Sequence, residues 1–419
     1  ASLLMGEPAA RAAKAKAHAP QPPSAVTFAK DVAPILYQNC TTCHRTGQVA
    51  PFTLSSYADA KKRARLIAAV TEQRIMPPWK ADSHGEFQNE RRLTNAQIGV
   101  LKRWADAGAP AGKLAAAPPA PTFPGGWTLG KPDLIVGPSE SYTVDAEGSD
   151  IYRCYVIPTN FAEDRYVSAI DVRPGNRAVV HHVIAYLDTS GEARRKDAAD
   201  PGPGYAGSMG FLPAGMLGGW APGTIARRLP SDTGILLPKG ADIVLEVHYH
   251  KDGKPETDRP QAAIYFNNAN VERPLHIFPL VNTGIRIPPD DKDYVAHASI
   301  PILFDATLLT IFPHMHNLGR QMTVTATFPD GTQKTLVDVP DWDFNWQGFY
   351  YYKAPLKLPR GSRIDLTAHY DNSADNPRNP HVPPKLVTWG EQTTDEMCLA
   401  YLGFTVDAEH VGKAKTAQR

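Results

Sequence analysis

The sequence predicts a multidomain chain in which one small all-α domain is followed by two all-β domains. Three observations carry this. Helical periodicity is confined to the residues before about 112. A Pro/Ala/Gly-rich stretch, Ala109 to Gly126, then separates two textures of sequence. Beyond it come short β-branched and aromatic runs such as "YRCYVIP", "ADIVLEVHYH" and "RIDLTAHYDNS", bounded by turns such as "RPGN" and "LPKGAD". Proline is frequent, 39 of 419 residues against an average of about 5%, which favours loop-rich β architecture.

Taken in order, residues 1–24 read as a disordered Ala/Pro/Lys lead-in of the kind a cleaved export signal leaves. Residues 25–112 form the helical domain. Val32, Ile35 and Leu36 share one helical face near its start. Thr94 and Gln97 open its last helix as a capping box, Leu101 and Trp104 share a face, and Gly108 with Pro110 ends it. Residues 113–126 are the linker. The remaining strand-rich length is too great for one sandwich and divides near Ile287–Tyr294, giving domains 127–286 and 287–410 and a tail 411–419. No helix is expected between about 130 and 405. A net charge of +1 gives no reason to expect a nucleic acid partner, and no apolar run is long enough for membrane insertion, so a soluble protein is expected.

Two of the four cysteines stand in "CTTCH", Cys40 to His44. This spacing suits covalent haem c: both thiols form thioethers, and the adjacent imidazole binds iron. A dithiol redox motif would need a βαβ setting, and a zinc site a second Cys/His pair nearby; neither is present. The helices around the motif resemble a class I cytochrome c. That resemblance implies Met76, in "RIMPPWK", as the sixth iron ligand, with core filling as its bland alternative and His84 as the competing ligand. Covalent haem implies a periplasmic or secreted bacterial protein with a periplasmic electron donor.

The histidines of the β-region cluster: His181 and His182 in "VVHHVIAY", His248 and His250 in "LEVHYHKDG", His314 and His316 in "FPHMHNLG". A lone histidine in a strand is more often structural than ligating; three clusters in one chain reverse that. Alternate strand residues share a face, so His314 and His316 point one way and Met315 the other. Adjacent His181 and His182 would face opposite ways unless the strand bulges or ends.

The clusters, their order and "TTDEMCLAYLGF" resemble the copper type II ascorbate-dependent monooxygenase family over roughly residues 125–407. The resemblance implies two antiparallel jelly-roll sandwiches of eight to nine strands, each with one copper, facing across an interface. His181, His182 and His248 would hold one ion, with His250 the impostor, and His314, His316 and Met397 the other. A thioether favours Cu(I), which suits the ion that meets oxygen; the all-imidazole site suits passing electrons. The implied reaction is hydroxylation of a C–H bond with dioxygen, two electrons and two protons. Tyr401 is kept from the family's site. Where peptide-hydroxylating members carry an arginine, two residues before His-x-His, this chain has Phe312, and Leu399 replaces an asparagine. An apolar or neutral small-molecule substrate follows. Cys154 and Cys398 either pair or stay as buried thiols. Competing readings are a non-catalytic haem/copper electron-transfer or copper-handling protein, and a binding module with structural histidines.

Overall fold

The computed structural model describes residues 25–411 except 49, 124 and 268–270. The expected lead-in, and all of the tail beyond 411, lie outside the described residues. The described chain is mostly β, with helices concentrated before residue 107.

In the helical unit, Phe28–Val32 runs into the helix Ala33–Asn39, and Asn95–Asp106 closes the unit. The capping box forms at Thr94, whose hydroxyl accepts from Gln97 N while Gln97 Oε1 accepts from Thr94 N at 2.9 Å. Leu101 and Trp104 are fully buried against Phe28, Val32 and Leu36. Two further helices, Tyr57–Lys62 and Ala64–Glu72, lie between the first and the last.

The first sandwich packs two sheets of five strands. One runs in the order Tyr205–Ala206, Ile151–Pro158, Asp242–Tyr249, Val180–Asp188, Gly215–Trp220. The other runs Leu134–Val136, Gln261–Phe266, Arg165–Arg173, Thr233–Leu237, Arg273–Pro274. Short edge segments raise the strand number above the expected eight or nine, and Arg273–Pro274 joins in parallel rather than antiparallel. Leu187, Ile243, Leu245 and Val247 of the first sheet meet Val167, Leu237 and Ile264 of the second in one core. Asp242–Tyr249 is buried along its whole length because it lies at the centre of its sheet.

The second sandwich packs two four-stranded sheets. One is His276–Val281, Leu399–Val406, Ala306–His314, Tyr350–Leu358; the other is Tyr294–Pro301, Arg363–Tyr370, Gly319–Thr327, Gln333–Val339. Because His276–Val281 pairs with Leu399–Val406, the sheets divide before His276, ahead of the expected division at 287.

One helix interrupts the β-region where none was expected: Glu192–Ala199, "EARRKDAA". It is too charged to show an apolar stripe, and its stability is local. Gly191 precedes it with φ of 74°, and Asp188 accepts the Ala193 N–H at 2.9 Å.

The helical unit is not free of the sandwiches. Phe87 bridges to Tyr352, Gln88 N donates to Tyr351 O and Lys353 N to Glu86 O, which adds a strand-like segment to the second sandwich's edge. Phe87 packs on Tyr350 and Tyr352 with ring centroids 5.2 and 5.1 Å away. The Phe87→Ala protein should lose about 3–5 kcal/mol of stability, read as a shifted denaturant midpoint. A loss below about 1 kcal/mol would mean that this docking is peripheral.

Candidate metal centres

His182 and His248 lie opposite each other on neighbouring strands, and the ladder slips register between Val180 and His182. The slip leaves His181 out of the pairing, the bulge that adjacent histidines need if both are to face one point. The three rings sit with centroids 5.3, 4.9 and 5.0 Å apart, and a nitrogen of each lies within 4.8 Å of the others. His181 Nδ1 and His182 Nδ1 are 3.1 Å apart.

Asp150 orients the third ring. Its carboxylate accepts from His248 Nε2 at 2.8 Å and from His250 Nδ1 at 3.0 Å, and is itself bonded by Thr393 Oγ1 at 3.1 Å. Tyr152 stacks on His248 at 4.3 Å. With its proton committed to Asp150, His248 presents Nδ1 as a bare lone pair, buried and without a partner. Burial lowers the pKa of His181 to about 3, helped by the field of His248, and holds His182 well below its usual value. Burial also lowers His248, against the pull of Asp150. Neutral imidazoles drawn together in this way are the form that binds a cation. His250 shares Asp150 but is exposed and stands outside the group.

His314 ends its strand and His316 follows two residues on, their rings 5.1 Å apart and nearly perpendicular. His314 Nδ1 donates to Gln347 Oε1 at 2.6 Å, and Gln347 Nε2 donates to Phe344 O, which fixes the amide's orientation. His316 Nδ1 donates to Asp395 O at 3.2 Å. Both rings therefore keep Nε2 as the free lone pair. Burial pushes the pKa of His314 down to about 4 and that of His316 well below its usual value.

Glu396, fully buried, ties this centre together. It accepts from His316 N at 2.8 Å, Leu318 N at 2.6 Å and Met397 N at 3.0 Å. Burial pushes its pKa up to about 8, opposed by those backbone donors.

Residues of both sandwiches line one cavity of about 630 Å³, among them His182, His314, His316, Met397, Tyr401 and Glu246. Among the described residues no lysine or arginine lines it, while Glu246 and Glu391 do. Phe312 stacks between Phe349 at 4.2 Å and Tyr401 at 6.1 Å, and Leu399 adds apolar surface. Phe344 spans the two clusters, stacked on His181 at 4.6 Å and edge-on to His316 at 5.6 Å. Asp150, Thr393, Gln347 and Phe344 carry no local sequence signal, since each acts on a ring distant in sequence. Glu396 stands beside Met397 in the "EMC" segment and was within reach of a motif reading.

In the helical unit Cys40 and Cys43 are unpaired and half-buried. His44 Nδ1 donates to Phe52 O at 3.1 Å, which leaves Nε2 free. Two thiols and an imidazole with a free Nε2 are the donor types that covalent haem attachment uses. Met76 is half-buried on the loop after Ala64–Glu72, and His84 is exposed. Cys154 and Cys398 are free thiols buried in separate cores.

Residues 277–414 match the family model of the copper type II ascorbate-dependent monooxygenase, C-terminal domain. The DBH-like monooxygenase protein 1 of Gallus gallus is 23% identical over 268 residues, 57% of this chain and 42% of that protein. Its Mus musculus counterpart is 22% identical over 283 residues, 59% of this chain and 43% of that protein. The chain thus spans less than half the length of these relatives. The matches thus make the second sandwich similar to the C-terminal domain of the copper type II monooxygenases, and the β-rich region distantly similar to DBH-like monooxygenase protein 1. Among solved structures, the infectious bursal disease virus VP2 subviral particle is 9% identical over 69% of this chain and 74% of its own, with a TM-score of 0.19. The major capsid protein P2 of bacteriophage PM2 is 9% identical over 67% and 98%, with a TM-score of 0.25. Likenesses of that size carry no argument.

Replacing Asp150 by alanine frees His248 to rotate. Affinity for one metal ion should fall about 10–100-fold while a second is held as before. Equilibrium copper titration reads this directly, and unaltered binding at both sites would rule out the orienting role.

Proposed function

We propose that this chain is a copper-dependent monooxygenase that hydroxylates a C–H bond of an apolar or neutral small molecule with dioxygen, and that it carries a covalently bound haem c as its electron-transfer group. The observation that carries the reading is one largely apolar cavity lined by His182 of one cluster and by His314 and His316 of the other, with His181 Nε2 and His248 Nδ1 behind it buried and without a partner among the described residues. His181, His182 and His248 would hold one copper; His314, His316 and Met397 would hold the other. When bound, copper supplies one-electron redox chemistry and activates dioxygen.

The protein's own part is positional. Asp150, Gln347 and the Asp395 carbonyl fix which nitrogen of each ring faces inward. Burial keeps those rings neutral and ready to ligate at pH 7. Met397 adds a soft thioether that favours the reduced ion. Phe312, Phe349, Leu399 and Tyr401 wall the cavity and keep water from the substrate. The described lining holds Glu246 and Glu391 and no lysine or arginine, so it offers a substrate carboxylate no counter-charge, and a peptide C-terminus is a poor fit. Phe344 touches a ring of each cluster and so joins them through one apolar side chain.

In the helical unit Cys40 and Cys43 would hold a haem through thioethers, and His44 and Met76 would bind its iron. A haem so held supplies one-electron transfer, and His/Met ligation raises its potential. Because this chemistry is completed outside the bacterial cytoplasm, the protein is assigned to the periplasm or the extracellular space, where a periplasmic electron donor meets it.

The purified full chain should contain one covalent haem and two coppers. His181→Ala and Met397→Ala should each lose one copper, but different ones, and both should keep the haem spectrum. Supplied with labelled dioxygen, reductant and a panel of apolar substrates, the intact protein should place labelled oxygen in a product. Loss of the same copper in both variants would break the ligand grouping. A fully loaded protein that reduces oxygen with no labelled product from any substrate would favour a non-catalytic redox role.

A further inference from the structure

Glu246 places a carboxyl group in the largely apolar wall of the cavity, and neither ligand set uses it. It stands two residues before His248 on the strand Asp242–Tyr249, so the two side chains share one face of the sheet. Its cross-strand neighbours are Cys154 on one side and Ile184 on the other, and neither is a cation. The residue is only 6% exposed.

One of its two oxygens is accounted for. Glu246 Oε2 accepts from Met209 N at 2.8 Å, and Cys154 Sγ lies 3.9 Å from the same atom. Oε1 has no hydrogen-bond or ion-pair partner among the described residues, which leaves it for the contents of the cavity. A buried carboxyl oxygen without a partner is costly, so this one calls for a polar group inside the cavity. Water can serve, but a substrate that displaces the water must restore the bond. A hydroxyl does so in either charge state of the carboxyl, because it both donates and accepts. The cavity's other acid, Glu391, is exposed and already accepts from Ser208 Oγ, so it makes no such demand.

We infer that Glu246 is a specificity-determining residue, whose free oxygen hydrogen-bonds a hydroxyl on an otherwise apolar substrate. The inference rests on the monooxygenase reading above and narrows its substrate class to neutral alcohols. A hydroxyl held there would lie on the first sandwich's wall, while His314, His316 and Met397 line the same cavity from the second. The anchor and the methionine-containing centre would therefore take different parts of one molecule.

The test reads binding, not turnover. Full-length, copper-loaded wild type, Glu246→Gln and Glu246→Leu are each titrated with cyclohexylmethanol and with methylcyclohexane by equilibrium dialysis. Because the two probes also differ in hydration, the quantity compared is the ratio of their dissociation constants in each protein. That ratio should move about tenfold against the alcohol in Glu246→Leu. In Glu246→Gln, whose amide still offers the hydroxyl a partner, it should stay within about threefold of wild type. An unchanged ratio in Glu246→Leu overturns the site. Glu246→Leu also removes the acceptor of Met209 N; should it fail to fold or to hold copper, infrared difference spectra of wild type decide. The Glu246 carboxyl band, identified by its absence from Glu246→Gln, should shift with the alcohol and not with the hydrocarbon. A band that neither probe moves overturns the site. The labelled-oxygen experiment fails separately: a protein that binds the alcohol through Glu246 yet forms no labelled product keeps this site and loses the monooxygenase reading.

Discussion

Glu396 accepts backbone N–H groups of His316, Leu318 and Met397 on its two carboxylate oxygens, joining segments some 80 residues apart in sequence. The second centre depends on that carboxylate. His316 lies beyond the end of its strand, where no ladder fixes the backbone, and Met397 precedes the strand Leu399–Val406. Without a common acceptor each would be free to drift, and three buried N–H groups would be left unsatisfied, at a cost of roughly 1–3 kcal/mol apiece. The Trp342 indole adds a second tie by donating to His316 O at 3.0 Å.

The first centre solves the same problem differently. His182 and His248 pair across neighbouring inner strands of a sheet, so their backbone is fixed by the ladder, and the bulge at His181 turns the third ring to the same point. Asp150 orients the ring of His248, and Thr393, from the second sandwich, closes on the same carboxylate. One hydrogen bond thus links the orientation of a ring in one sandwich to the packing of the other. The cavity between them is accordingly a product of domain docking rather than of either sandwich alone.

What the sequence conveyed was local. Paired histidines, the "CTTCH" turn, the capping box at Thr94 and the need for a bulge at His181 are each written within a few residues, and each has a short-range physical cause. What it did not convey was long-range. Asp150 lies 98 residues from His248 and Gln347 lies 33 from His314, and nothing in their neighbourhoods marks them. The helix Glu192–Ala199 escaped because its charged face hides the periodicity that would announce it. The strand His276–Val281 was assigned to the wrong side of the division because a strand's own pattern does not say which sheet it joins.

The central claim is that a thioether and two imidazoles hold one of two coppers at a shared cavity. Copper X-ray absorption of the reduced, fully loaded protein tests it most directly. The account predicts a sulfur scatterer alongside nitrogen, lost in Met397→Ala and kept in His181→Ala. A nitrogen-only spectrum, or a sulfur signal that survives in Met397→Ala, would contradict it.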